Sequence, residues 1–227
     1  MSVLVQTIGD LLPAAAGVAL SPIPIIAVIL ILGTPKARSN GPAFAIGWVV
    51  GLTAVSVIVI VVAGGSDDAG STAATGVNWF QVAVGVLFLA LAAKQWRSRP
   101  APGETAELPA WMHKVDEIAP KQALLLGLGL SAANPKNLAL TMAASATIAQ
   151  SGMAAGDDLV AVLVFVVLGS ITVAGAVVYY FTATERASAA LGTVKDFMSA
   201  HNAVIMMVIL LILGLKILGQ GLGALAA

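Results

Sequence analysis

Apolar residues run along this chain in six long blocks, at residues 4–32, 42–63, 79–96, 122–150, 158–181 and 202–222, with polar residues gathered in the short stretches between them. A helix needs about 20 apolar residues to cross roughly 30 Å of hydrocarbon, so the pattern predicts six membrane-spanning helices. The first and fourth blocks are longer than one straight span requires, and each is interrupted. "SPIPI" begins at Ser21 in the first, and "NPKN" begins at Asn134 in the fourth. A proline inside a helix removes one backbone donor and clashes with the preceding turn. In lipid, the groups it frees need protein or water partners, so irregular backbone is tolerated only when buried or lining a cavity.

The two interruptions occupy equivalent places. Sliding the chain by 113 residues sets Ser21-Pro22-Ile23-Pro24 over Asn134-Pro135-Lys136-Asn137, and Thr34 over Thr147. Three spans per half would insert the second half upside down relative to the first. The expected fold class is therefore an all-α integral membrane protein, with six transmembrane helices as a 3+3 inverted repeat and a broken first helix in each half. The expected boundaries are 1–97 for the first repeat, 98–120 for a cytoplasmic linker and 121–227 for the second, inverted repeat. Inverted repeats are common in secondary transporters, and helices broken at matched positions point to the substrate site. A single proline reads as readily as a packing kink; the matched pair favours a site.

Composition agrees with the pattern. The chain is 59% hydrophobic and 10% charged, with mean hydropathy +0.99, whereas soluble domains are about a quarter charged. "MSVLVQTIGDLL" lacks a basic leading region, so it does not read as a cleavable signal. The net charge of zero conceals a sorting by loop. Lys36 and Arg38 lie in the first loop, Lys94, Arg97, Arg99, Lys114 and Lys121 in or beside the third, and Arg186 and Lys195 in the fifth. The second and fourth loops hold Asp67, Asp68, Asp157 and Asp158 and no basic residue. The positive-inside rule then makes the odd loops cytoplasmic and places both termini on the outer side. In the third loop, Trp111, Met112, Val115, Ile118 and Ala119 fall at helical spacing among charged residues. An interfacial amphipathic helix and an ordinary solvated connector both fit that spacing.

Lys136 has no acidic residue within fifteen positions on either side, and no Asp or Glu lies in an apolar core, Asp10 being near the outer end of the first span. An intramembrane cation costs several kcal/mol. Without an ion-pair partner it requires a water-filled vestibule, a bound anion, or a lysine held neutral; snorkelling from a tilted segment is the bland alternative. Nearby helix N-termini would favour an anion. Carboxylate-free spans argue against carriage of metals or protons, and His113 and His201 lie in or beside loops. There is no cysteine, no nucleotide-binding phosphate loop and no nucleophile constellation. Neither enzyme activity, a cofactor nor a metal is expected. Aromatics make up 5% and form no stacking box, so nucleic acid is not an expected partner. Gly47-x-x-x-Gly51, and Ala132, Ala133, Ala139, Ala143 and Ala144 near Lys136, permit close helix approach.

Several stretches together are similar to a known family: S-P-x-P-I at Ser21, K-x-R-S-N at Lys36, Q-W-R-x-R-P-x-P-G-E at Gln95 and N-P-K-N at Asn134. The chain resembles the GAP family of actinobacterial membrane proteins, which includes the glycopeptidolipid- and sulfolipid-addressing proteins, within the LysE superfamily of exporters. The resemblance implies a six-span inverted-repeat transporter of the plasma membrane that exports or flips a cell-envelope lipid or glycolipid. It also implies a homodimer, and lipid-synthesis or large lipid-export proteins, as candidate partners. Carried over by position, the substrate-binding residues are Ser21, Pro22, Pro24, Asn134, Pro135, Lys136 and Asn137. Two other readings stay open, an amino-acid or small-anion exporter and a non-transporting scaffold for a larger lipid-export machine.

Overall fold

Pro22 and Pro24 have no amide hydrogen to give to the carbonyls of Val18 and Leu20, so a helix entering from the N-terminus must end there. Pro22 and Pro135 instead serve as first helical residues, where the missing donor costs nothing. The computed structural model, which describes residues 2–64, 79–99, 115 and 117–222, breaks at both places. Its elements are α1 (Val3–Ala19), α2 (Pro22–Leu32), α3 (Ala37–Gly64), α4 (Trp79–Arg97), α5 (Pro120–Ala132), α6 (Pro135–Ala149), α7 (Ala155–Thr182) and α8 (Thr184–Leu222). The described residues contain helices and no strand. A broken pair followed by two helices occurs twice in this order.

Three segments are long and apolar enough to cross a membrane: Ala37–Val62, Ala155–Thr182 and Ala189–Gly219. The α1–α2 pair, bent by 51°, makes a fourth candidate. Length and apolarity thus establish three to four spans among the described residues, and α4 and the α5–α6 pair are the other two of the six predicted blocks. At 1.5 Å per residue α5 and α6 reach only about 20 and 23 Å, too short to cross singly. Two boundaries also move. α3 starts at Ala37 and takes Arg38–Asn40 into its first turn, and α8 starts at Thr184, well before the apolar block at 202. The charged fifth-loop stretch has no proline, so nothing stops the helix from continuing through it.

Helix pairs meet backbone to backbone where glycine allows. α3 lies on α5, with Gly47 facing the Leu124 carbonyl, Gly127 facing the Phe44 carbonyl and Gly51 facing the Ser131 hydroxyl. A side chain at any of these would collide with those atoms. α1 packs on α7, and α4 on α8. Phe44, Trp48, Leu52, Phe88, Leu140 and Phe165 are completely buried at the centre. The exterior is apolar as well, with Val61 67% and Val167 64% exposed, while Ser21, Asn40, Lys136, Asn137 and Thr141 are buried. This is the reverse of a soluble protein's distribution, and lipid is the solvent that suits it.

Of the linker's helical-spacing residues, Trp111–Lys114 and Asp116 lie outside the described residues. Val115 is buried, and the Ile118 carbonyl accepts from Asn40 Nδ2 at 3.0 Å. Asn40, from the first-loop motif, therefore ties the start of α3 to the end of the linker.

Candidate functional site

Every backbone carbonyl at a helix break inside lipid needs a donor. At the first break the Leu20 amide turns back to Ala16 O (2.9 Å) and the Ser21 amide to Val18 O (3.2 Å). Gly17 O, which a continuing helix would have paired with Ser21, instead accepts from Lys136 Nζ at 2.7 Å. Ala19 O accepts from Thr172 Oγ1 of α7 at 2.6 Å. At the second break the Ala133 and Asn134 amides both turn to Gly129 O, at 2.8 and 3.1 Å. Leu130 O is then met by Asn137 Nδ2 at 3.0 Å. Leu130 stands 113 residues after Gly17, so the same carbonyl is freed in each half and a side chain from the "NPKN" stretch satisfies both.

Ser21 joins the two breaks. Its hydroxyl accepts from Lys136 Nζ at 2.8 Å and donates to Asn137 Oδ1 at 3.0 Å. Asn134 caps α6, its Oδ1 accepting from the Lys136 amide at 3.1 Å. The Lys136 amine also lies 3.9 Å from Met206 Sδ of α8. The amine thus rests on the C-terminal end of α1, where the helix dipole is negative. It lies beside the N-termini of α2 and α6, whose partial charges are positive. Its oxygen partners, the Gly17 carbonyl and the Ser21 hydroxyl, are neutral, and no carboxylate lies within ion-pair range of it among the described residues.

Of the seven predicted site residues, Ser21, Asn134, Lys136 and Asn137 form one connected hydrogen-bond network. Pro22 and Pro24 are buried and act by withholding donors, whereas Pro135 is exposed. Sequence reasoning missed Gly17, Thr172 and Met206. Gly17 was reachable, since it lies four residues before the N-cap of α2, where a carbonyl must lose its partner. Thr172 and Met206 come from distant helices, and no local pattern marks them.

A cavity of about 290 Å³ lies between α1, α4, α6 and α8, separate from this network. Ala139, Ala143, Ala146 and Leu213 form its walls, and Asp10, Gln150 and Lys216 gather at one end. Leu140 lines it too, and its side chain would meet a Cβ placed on Gly17, at 2.9 Å. A second cavity, of about 260 Å³, lies between α2, α7 and α8 by Gly33, Tyr180 and Lys195. No group of acidic, histidine or cysteine side chains suited to a metal occurs among the described residues.

A helical bundle that is apolar outside and gathers its polar groups at internal helix breaks is a multi-pass membrane protein. The chain belongs to the SfLAP family: the family model described as Sap, sulfolipid-1-addressing protein, matches residues 11–223. This is the GAP family to which the sequence motifs point. No curated protein and no solved structure matches the chain.

Proposed function

We propose that the protein is an exporter of the LysE superfamily that moves a cell-envelope lipid or glycolipid from the inner to the outer side of the bacterial plasma membrane. The observation that carries the reading is the Lys136 amine bridging the two helix breaks, together with membership of a sulfolipid-addressing family. The order of elements supports two inverted three-helix repeats, since a broken pair precedes two helices in both halves. Packing supports it too: α3 lies on α5, and the helices equivalent to them by order, α7 and α1, also pack together. The bond between Asn40 and Ile118 brings the first loop and linker to one end, as both would be if cytoplasmic.

On this reading the broken helices are the substrate site. An anionic head group draws the Lys136 amine away from Gly17 O and Ser21 Oγ, and the asparagine amides complete its hydrogen bonding. Acyl chains stay in lipid while one repeat rocks against the other. Freed of Lys136, the α1 carbonyl would lack a donor, so the empty site favours the tied state and the loaded site favours release.

The test is export in cells carrying Lys136→Ala, with membrane insertion checked by immunoblot and lipids quantified in inner and outer envelope fractions. Loss of one outer lipid with matching inner accumulation is expected. Unchanged export from normally inserted protein would sink the assignment. A lipid defect caused only by exchanging the 98–120 linker would point to the scaffold reading instead.

A further inference from the structure

The cavity bounded by α1, α4, α6 and α8 has a polarity gradient that nothing in the Lys136 network explains. Its deep end lies at Leu140 and Leu213, which both approach Gly17, and its α6 wall runs through Ala139, Met142, Ala143 and Ala146 to Thr147 and Gln150. At the other end stands Lys216, half-buried, with one amine hydrogen donated to the Asp10 carbonyl at 3.0 Å. No carboxylate lies within ion-pair range of it among the described residues. A single such bond leaves the ammonium two further hydrogens to offer.

Water is a poor occupant for the deep end. A buried water needs two to four polar partners, and alanine and leucine side chains supply none. An empty void of this size would forfeit dispersion contacts along all its walls. An alkyl chain fills it without that loss, and the lysine at the mouth selects what the chain carries. The volume sits at the lower edge of ligand pockets, about 300–1,000 Å³, which suits a single chain and excludes a whole glycolipid.

We propose that this cavity is an acyl-chain subsite for an anionic amphiphile, with the alkyl chain along the alanine face of α6 and the phosphate, sulfate or carboxylate of its head group on Lys216. The site is distinct from the helix-break network, none of whose residues lines the cavity. Its orientation rests on the proposed exporter topology, in which the Lys216 end faces the outer leaflet. There it would receive the lipid after passage.

The experiment uses the full-length protein in nanodiscs and two photoactivatable probes with the same diazirine-bearing acyl chain. One carries a phosphatidylglycerol head and the other phosphatidylcholine. Adducts are mapped by peptide mass spectrometry. The expected result is saturable labelling of the α6 segment 139–147 that favours the anionic probe about tenfold, the worth of one charge-assisted hydrogen bond. Lys216→Gln should bring that preference close to unity, and Ala143→Phe should reduce α6 labelling to background. Ala146→Leu, a smaller intrusion, guards against misfolding of the phenylalanine variant and should lower labelling in the same direction. Labelling spread evenly over the lipid-facing helices, or an anionic preference that survives Lys216→Gln, overturns the proposal. Because binding is read without transport, the outcome is separable from the exporter reading. Export lost in Lys136→Ala alongside non-saturable labelling would refute the subsite alone, and the converse would refute the exporter alone.

Discussion

Ser21 is the hinge pin of the two helix breaks, and its removal has a calculable consequence. Ser21→Ala deletes the acceptor 2.8 Å from the Lys136 amine and the donor 3.0 Å from Asn137 Oδ1. Hydrogen bonds to charged groups contribute about 1.5–3 kcal/mol, and a buried acceptor left without a partner costs about 1–3 kcal/mol. Asn137 is fully buried, and the lysine keeps Gly17 O, so a loss of about 3 kcal/mol is expected. If Lys136 is first changed to methionine, only the Asn137 bond remains to lose, and Ser21→Ala should then cost about 1 kcal/mol. The two substitutions should therefore couple by about 2 kcal/mol, within the range for residues sharing one network. The assay is equilibrium unfolding in mixed detergent–SDS micelles, followed by far-UV circular dichroism for wild type, both single variants and the double variant. Additive losses, with coupling under about 0.5 kcal/mol, would show that serine and lysine are not bonded in the folded protein.

Other substitutions test other parts of the bundle. Gly127→Ala should destabilise by about 3 kcal/mol, because its new methyl meets the immovable Phe44 carbonyl of α3. Gly129→Ala, two residues on, has open space and should be neutral or gain about 0.5–1 kcal/mol from helix propensity; thermal melts of the pair give the comparison. Thr172→Val preserves shape but strips the donor from Ala19 O. A loss of about 1–3 kcal/mol is expected in the same micellar unfolding assay. Asn40→Leu releases the Ile118 carbonyl, and limited trypsinolysis should then cut faster after Lys121 than in wild type, with no change if the tie is unimportant.

Hydropathy and proline placement made much of this architecture readable, because lipid imposes few solutions on a chain. Pro22 and Pro135 marked both breaks to the residue, since a missing amide hydrogen is a local fact. What surrounds the breaks is not local. The charge of Lys136 points to a vestibule, an anion or a neutral amine, and none of these readings names the glycine carbonyl and serine hydroxyl that its amine meets. A carbonyl has no sequence signature, so only the fold discloses which one lies within reach. The early starts of α3 and α8 were missed because hydropathy marks where lipid begins, whereas a helix ends only where its backbone bonds do. Lys216 lies in the last apolar block, and only the packing of α8 beside α1 brings it to a cavity.

The first break is closed by atoms that arrive late in synthesis. When α1 and α2 leave the ribosome, Gly17 O and Ala19 O have no donors, because Thr172 and Lys136 have not yet been made. The second break, by contrast, carries its own closure, Asn137 for Leu130. The nascent first half must therefore wait in the bilayer with two carbonyls satisfied by water, lipid head groups or insertion machinery until α7 follows. The two breaks therefore differ in when their partners exist: Leu130 O is met from within its own half, whereas the donors to Gly17 O and Ala19 O are made only with the second half.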